Sequence, residues 1–227
     1  LGASVLEVRH GTQQSEHSPF RMEANVLHAP HARLEFDASG GIASWVDLSS
    51  GRELRHPEGE ALNRFVFGED IPAEWDNWDI DADLEFKLAS LKAPVAREIV
   101  AEGPLQFRVR HSVQLTSRSH LIQDVVVHAD TPQVDFETCV HWEEPHRYLG
   151  AEFALAIQVP SARHEIQFGH IQRGTHRNFS EDRARFEVSQ HKWTDLSEAD
   201  FGVALLNDGK YGLSVSGGRV RLSLMKG

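Results

Sequence analysis

The chain has 227 residues, 23 basic against 34 acidic side chains and a net charge of −11, a size that fits one large all-β domain or two small ones and a charge that argues against a phosphate backbone or an anionic membrane surface as partner. A single cysteine, Cys139, leaves no internal disulfide and suits a reducing, cytoplasmic location. No apolar run nears the roughly 20 residues that span a bilayer, no secretory leader pattern opens the sequence, and residue 1 is not Met, so a piece of a longer protein is expected.

In chain order, period-2 alternation recurs wherever apolar residues cluster, and helical periodicity is scarce. Residues 24–28 and 32–36 read as a hairpin across Ala29-Pro30, and Asp37-Ala-Ser-Gly-Gly41 turns the chain into a strand over 42–46. A strand over 64–67 runs into a tryptophan-rich stretch that Pro72 keeps out of any central ladder. The clearest strand is 105–115, with Leu105, Phe107, Val109, Val113 and Leu115 on one face and Gln106, Arg108, Arg110, Ser112 and Gln114 on the other. Residues 121–128 are apolar on both faces, so they belong inside a sheet, and 133–142 and 153–159 alternate again. Together they predict an antiparallel meander of large sheets. Further strands are expected over 164–167, 185–188, 202–206, 212–215 and 219–224, with short helical turns at 84–91 and 195–201. The fold class expected is all-β, a large antiparallel sandwich forming one domain over 1–227, with 1–20 as a lead-in segment.

Two stretches carry chemistry. Glu69 to Asp81 holds six acidic side chains and two tryptophans without a Lys or Arg. Crowded carboxylates need water or fixed donors, while Trp75 and Trp78 offer the aromatic faces on which a pyranose stacks its C–H patches, with carboxylates beside them to accept from its hydroxyls. Asp76 and Asp79 are the best pair for acid/base work on a glycoside, against hydrogen bonding to loop amides as the structural alternative. The second stretch, His191 to Gly212, combines a helix-start pattern at Thr194 or Asp195 with a tight turn at Asn207-Asp-Gly209, and Trp193 and Tyr211 could pack or face a ligand. The fourteen histidines have no zinc-like spacing, and no nucleophile elbow or phosphate-cradling glycine loop occurs.

Trp75-Asp-Asn-Trp-Asp-Ile-Asp81 resembles the Trp-Asp-Ala-Trp-Asp-Val/Ile-Asp signature of glycoside hydrolase family 38 α-mannosidases, above all the cytosolic and vacuolar branch and its bacterial relatives. Glu165 to His176 resembles that branch's Glu-Ile-Gln-Phe-Gly-His-Leu-Gln-Arg-Pro-Thr-His, and Ala184-Arg-Phe-Glu-Val188, His191-Lys-Trp193, Asp195-Leu-Ser-Glu198, Leu205-Leu-Asn-Asp208 and Lys210-Tyr-Gly212 follow in the family's order. Asn77, Gly174 and Gly209 depart from its usual Ala, Pro and Cys, and Lys226 stands where Arg is usual.

The resemblance implies the central to C-terminal β region of such an enzyme, a supersandwich of galactose-mutarotase-like type. Zinc and the aspartate nucleophile of retaining α-mannoside hydrolysis would belong to a preceding barrel and helical bundle, leaving no catalytic residue, metal ligand or cofactor in this chain. Trp75, Asp76, Trp78 and Asp79 are the residues expected to reach the mannose, followed by His191, Trp193, Lys210 and Tyr211. An exposed apolar patch is expected where the missing parts pack. The alternatives are a free-standing carbohydrate-binding module and an aldose-epimerase-like enzyme, which would pair His141 with Glu143 or Glu137.

Overall fold

A computed structural model describes residues 18–93 and 95–227. The chain opens with four short strands, β1 (Arg21–Glu23), β2 (Val26–His28), β3 (Ala32–Phe36) and β4 (Ile42–Asp47), followed by β5 (Arg64–Glu69), the single helical turn α1 (Leu84–Lys87) and β6 (Ala89–Ser90). The long strands β7 (Val95–Glu102), β8 (Gln106–Gln114), β9 (His120–His128), β10 (Val134–His141) and β11 (Arg147–Ala154) come next. The last part holds β12 (Ser161–Ile166), β13 (Gly169–Gly174), α2 (Ser180–Ala184), β14 (Val188–Ser189), β15 (Trp193–Ser197), β16 (Gly202–Leu206), β17 (Gly212–Ser216) and β18 (Arg219–Lys226).

These strands form four sheets, ordered β1-β2-β3-β4, β10-β9-β8-β7, β14-β17-β18-β11-β5-β6 and β13-β12-β15-β16. The pairings that build them are antiparallel, as in β8 with β9 and β11 with β18. One apolar core joins all four, drawing Leu34 and Phe36 from the first, Val109 and Leu121 from the second, Leu149 and Leu222 from the third and Ala162 and Leu196 from the fourth. Phe136 meets Phe153 edge-on with ring centroids 5.6 Å apart, tying the second sheet to the third. The expected all-β antiparallel sandwich is therefore present, as a stack of several sheets. No helix among the described residues is long and apolar enough to cross a membrane.

The alternation in β8 holds: Phe107, Val109, His111 and Val113 are buried, while Gln106, Arg108, Arg110, Ser112 and Gln114 are more exposed. Leu105 departs from it, being 77% exposed just before the strand begins. Central placement of β9 between β8 and β10 explains why Val125, Val126 and Val127 are all buried.

Other expectations need correction. The helical turn expected at 195–201 is strand β15 and a turn, because Trp193, Thr194 and Leu196 pair with Leu206, Leu205 and Val203 and the burial of Leu196 outweighs a local capping pattern. Of the strand expected at 185–188 only Val188 is strand, in the two-residue β14, and 185–187 form the turn that follows α2. In 153–159 only the first two residues are strand, although Phe153, Leu155, Ile157 and Val159 are all buried. The tight turn expected at Asn207 to Gly209 is present and carries the chain from β16 to β17, which lie in different sheets. The motif from Glu165 to His176 spans the unforeseen hairpin β12–β13. Most of the expected lead-in segment 1–20 lies outside the described residues.

Candidate sugar-facing rim

Beyond β5 the backbone leaves the sheet at Asp70, a buried residue whose N–H donates to the His146 carbonyl at 2.9 Å. The chain then folds over a tight turn in which the N–H groups of Trp78 and Asp79 both donate to the Trp75 carbonyl at 2.9 Å. Trp75 and Asn77 hold φ of 56° and 63° there. Asn accepts this left-handed geometry more readily than Ala, which gives its presence at position 77 a physical reason.

The acids serve the loop. Asp81 Oδ2 accepts from the Ala73 N–H at 2.7 Å and Asp79 Oδ1 from the Ile80 N–H at 2.9 Å, while Asp76 Oδ2 lies 3.2 Å from His146 Nδ1. Lys226 at the end of β18 donates to the Asp79 carbonyl and lies 3.4 Å from Asp70 Oδ2, so a position 147 residues away pins the loop down. Beneath it, Ile80 packs with Leu88 on Val66, Leu84 and Tyr148. The backbone is thus fixed while the rings stay in solvent: Trp75 is 71% and Trp78 89% exposed. Ile71 and Phe86 are exposed in the same segment.

The second group assembles from three separate stretches. Glu165 accepts from the His191 N–H through its carbonyl at 3.0 Å and from the Lys192 N–H through its carboxylate at 2.8 Å. Asn207 donates through its amide to the His191 carbonyl at 2.9 Å, and its Oδ1 accepts from the N–H groups of Gly209 at 3.0 Å and Lys210 at 2.6 Å. Gly209, with φ of +114°, makes that turn possible. Gln190 bonds the carbonyls of Tyr211 and Lys210. The outcome sets the rings of His191 and Tyr211 5.1 Å apart and those of His170 and Trp193 6.2 Å apart.

Both groups stand at one end of the six-stranded sheet. Strand register places Glu69 beside Arg147, Lys226 beside Tyr148 and Gly212 beside Ser189, so the loop after β5 and the turn before β17 rim the same edge. Between them runs a polar network not anticipated from the sequence: Ser223 Oγ donates to Glu187 Oε2 at 2.8 Å and lies 2.7 Å from the Tyr148 hydroxyl. Burial pushes Glu187 upward and Tyr148 up to about 12. A Cβ at Gly212 would meet Glu187 Oε1 at 2.5 Å and Ser223 Cβ at 3.0 Å, so a larger residue there would displace the Glu187 carboxylate. Glu187 belongs to the motif Ala184-Arg-Phe-Glu-Val188, and that was its only sequence signal.

The epimerase-like pairing does not form a cleft. His141 Nε2 and Glu143 Oε1 are 3.0 Å apart, but both side chains are about half exposed on and just beyond the edge strand β10, and Glu137 is bound to Arg108. Among the described residues, no group of three or more His, Cys, Asp or Glu is disposed to hold a metal ion.

Comparison with known proteins identifies the family and the fold. The model of the glycosyl hydrolases family 38 C-terminal domain matches residues 27–227. Alpha-mannosidase 2C1 of Mus musculus is 45% identical over 195 residues, covering 86% of this chain and 19% of that protein. Alpha-mannosidase G of Dictyostelium discoideum is 44% identical over 194 residues, covering 83% and 18%. A solved structure of a glycosyl hydrolase family 38 protein from Enterococcus faecalis superposes with a TM-score of 0.75 at 10% identity, over 95% of this chain and 28% of its own, a likeness of fold. The chain thus spans about a fifth of the length of the curated relatives it matches.

Proposed function

Because the chain belongs to glycosyl hydrolase family 38 through its C-terminal domain, we propose that it is the β domain of a cytoplasmic α-mannosidase that hydrolyses terminal α-mannosides. The reaction implied for the whole enzyme is zinc-dependent and retaining, carried by a barrel and helical bundle elsewhere in the polypeptide. The present chain supplies no catalytic residue. It braces the catalytic part and gives one wall to the mannose site, with Trp75, Asp76, Trp78 and Asp79 nearest the sugar and His191, Trp193, Lys210 and Tyr211 flanking them.

One observation supports this reading: the loop carrying Trp75 and Trp78 and the turn carrying Tyr211, far apart in sequence, share one end of the six-stranded sheet with their rings exposed. An uncharged sugar suits a chain of net charge −11, and large exposed apolar side chains between positions 71 and 86 suit a docked neighbour.

In the full-length polypeptide, Trp78→Ala is expected to lower kcat/KM on an aryl α-mannoside about tenfold, roughly 1.4 kcal/mol of transition-state binding. The melting temperature should stay put because the ring is 89% exposed. Unchanged kcat/KM would remove Trp78 from the wall. The exposed rings also favour a second reading, a free-standing carbohydrate-binding module. Calorimetric titration of the chain with mannose separates the two: a module binds with a micromolar to millimolar Kd, whereas a supporting domain yields no saturable heat.

A further inference from the structure

Between the β12–β13 hairpin, α2 and the β14–β17 edge lies a cavity of about 30 Å³, the space of roughly two water molecules. Its lining includes His164, Arg173, His176, Arg177 and Arg185, and Asp182 is the single acid there. Such a gathering of cations stands out in a chain of net charge −11.

The charges are unevenly matched. Arg177 is engaged by the Glu85 carboxylate, the Phe186 carbonyl and Ser214 Oγ. Asp182 is shared, lying 3.1 Å from His176 Nδ1 and 4.0 Å from the Arg185 guanidinium while accepting from the Phe179 N–H at 3.2 Å. Arg173 donates to the Ser189 carbonyl at 3.2 Å. Burial and the facing Arg185 hold its guanidinium below the usual arginine range, with no acid among the described groups opposing them. A half-buried arginine that shares a cavity lining with a second arginine favours a negative charge between them.

We propose that this cavity binds a small tetrahedral oxyanion, inorganic phosphate or the head of a phosphate monoester, between Arg173 and Arg185 with His176 beside it. Guanidinium forks match phosphate oxygens in pairs and remain charged throughout the accessible pH range. The anion sets one negative charge beside two guanidinium groups that line the same cavity. His164, anchored through Nδ1 to Thr194 Oγ1 at 2.9 Å, forms the neutral back of the site. The inference stands apart from the mannoside reading, since this lining shares no residue with the two groups at the sheet end.

The test is calorimetric titration of the chain with sodium phosphate, phenyl phosphate and sodium chloride at fixed ionic strength, repeated on Arg185→Gln and Arg173→Gln. Arg185 is 63% exposed, so its replacement leaves folding intact. The expected result is saturable phosphate binding that weakens at least about tenfold in both variants, with chloride inert. Equal or tighter binding of phenyl phosphate identifies a monoester as the source, and preference for inorganic phosphate identifies the free ion. No saturation in the parent chain, or equal affinity in the variants, overturns the proposal.

Discussion

Glu152→Ala is expected to destabilise the fold by about 3 kcal/mol, the scale of removing one partner from a buried ion pair. Glu152 sits in the middle of β11 and is 5% exposed. Its carboxylate binds the Arg64 guanidinium on β5, the strand directly alongside, and lies 3.7 Å from Arg219 Nε on β18 at the other side. The Arg64 side chain is itself only 12% exposed, so truncating Glu152 leaves a largely buried cation with only the Ser90 hydroxyl and the exposed Glu60 as partners. Glu60 also pairs directly with Arg64, but it is 62% exposed, so solvent screens the pair. Glu60→Ala should therefore cost under about 1 kcal/mol. Urea denaturation of the two variants checks the contrast, and equal losses would mean that Glu152 holds nothing the surface pair does not.

Acid should unfold the chain earlier than its carboxylates alone require, through His111 and His164. His111 is 1% exposed, accepts a hydrogen bond at Nε2 from Arg97 Nε at 3.1 Å and packs edge-on against Phe36. Burial first, and the Arg97 charge second, bring its pKa down from 6.5 to about 4. His164 is equally buried and also falls to about 4, by burial and then by Arg173. Both rings are neutral when folded and take up protons near pH 6.5 when unfolded. Their contribution is complete above pH 6.5 and is lost as pH falls from 6.5 towards 4, at up to about 3 kcal/mol each. Glu187 acts the other way, since its raised carboxyl favours the fold as pH falls. Urea midpoints measured from pH 7.5 to 4.5 should drop steeply below pH 6.5, and His111→Phe should remove about half of the slope. A flat midpoint over that window would show that the histidines are solvated.

Reading the sequence succeeded where period and burial agree. Phe107, Val109 and Val113 alternate because one face of β8 is core. It failed for β11, where Tyr148 to Ala154 are buried on both faces between β18 and β5 and Gly150 interrupts any pattern. It missed β7, whose alternation is broken by an irregularity between Ile99 and Ala101. Thr194 and Asp195 looked like a helix cap because capping chemistry is local, whereas their pairing with β16 and β12 is not. For the site, the tryptophan-aspartate motif and the His191 to Tyr211 stretch were legible as residue types. Their arrival at one end of a sheet was not, because it depends on Arg147 meeting Glu69 and Tyr148 meeting Lys226, pairings between residues far apart in sequence. Lys226 as the clamp on Asp79 belongs to the same class of long-range consequence.

The central claim is that this β domain shapes a mannose site without performing the chemistry. Incubating the purified chain with a chromogenic aryl α-mannoside, beside the full-length polypeptide at equal concentration, tests it most directly. The account predicts phenol release from the full-length polypeptide and none from the chain alone; release by the chain alone, abolished by Asp76→Asn or Asp79→Asn, would contradict it.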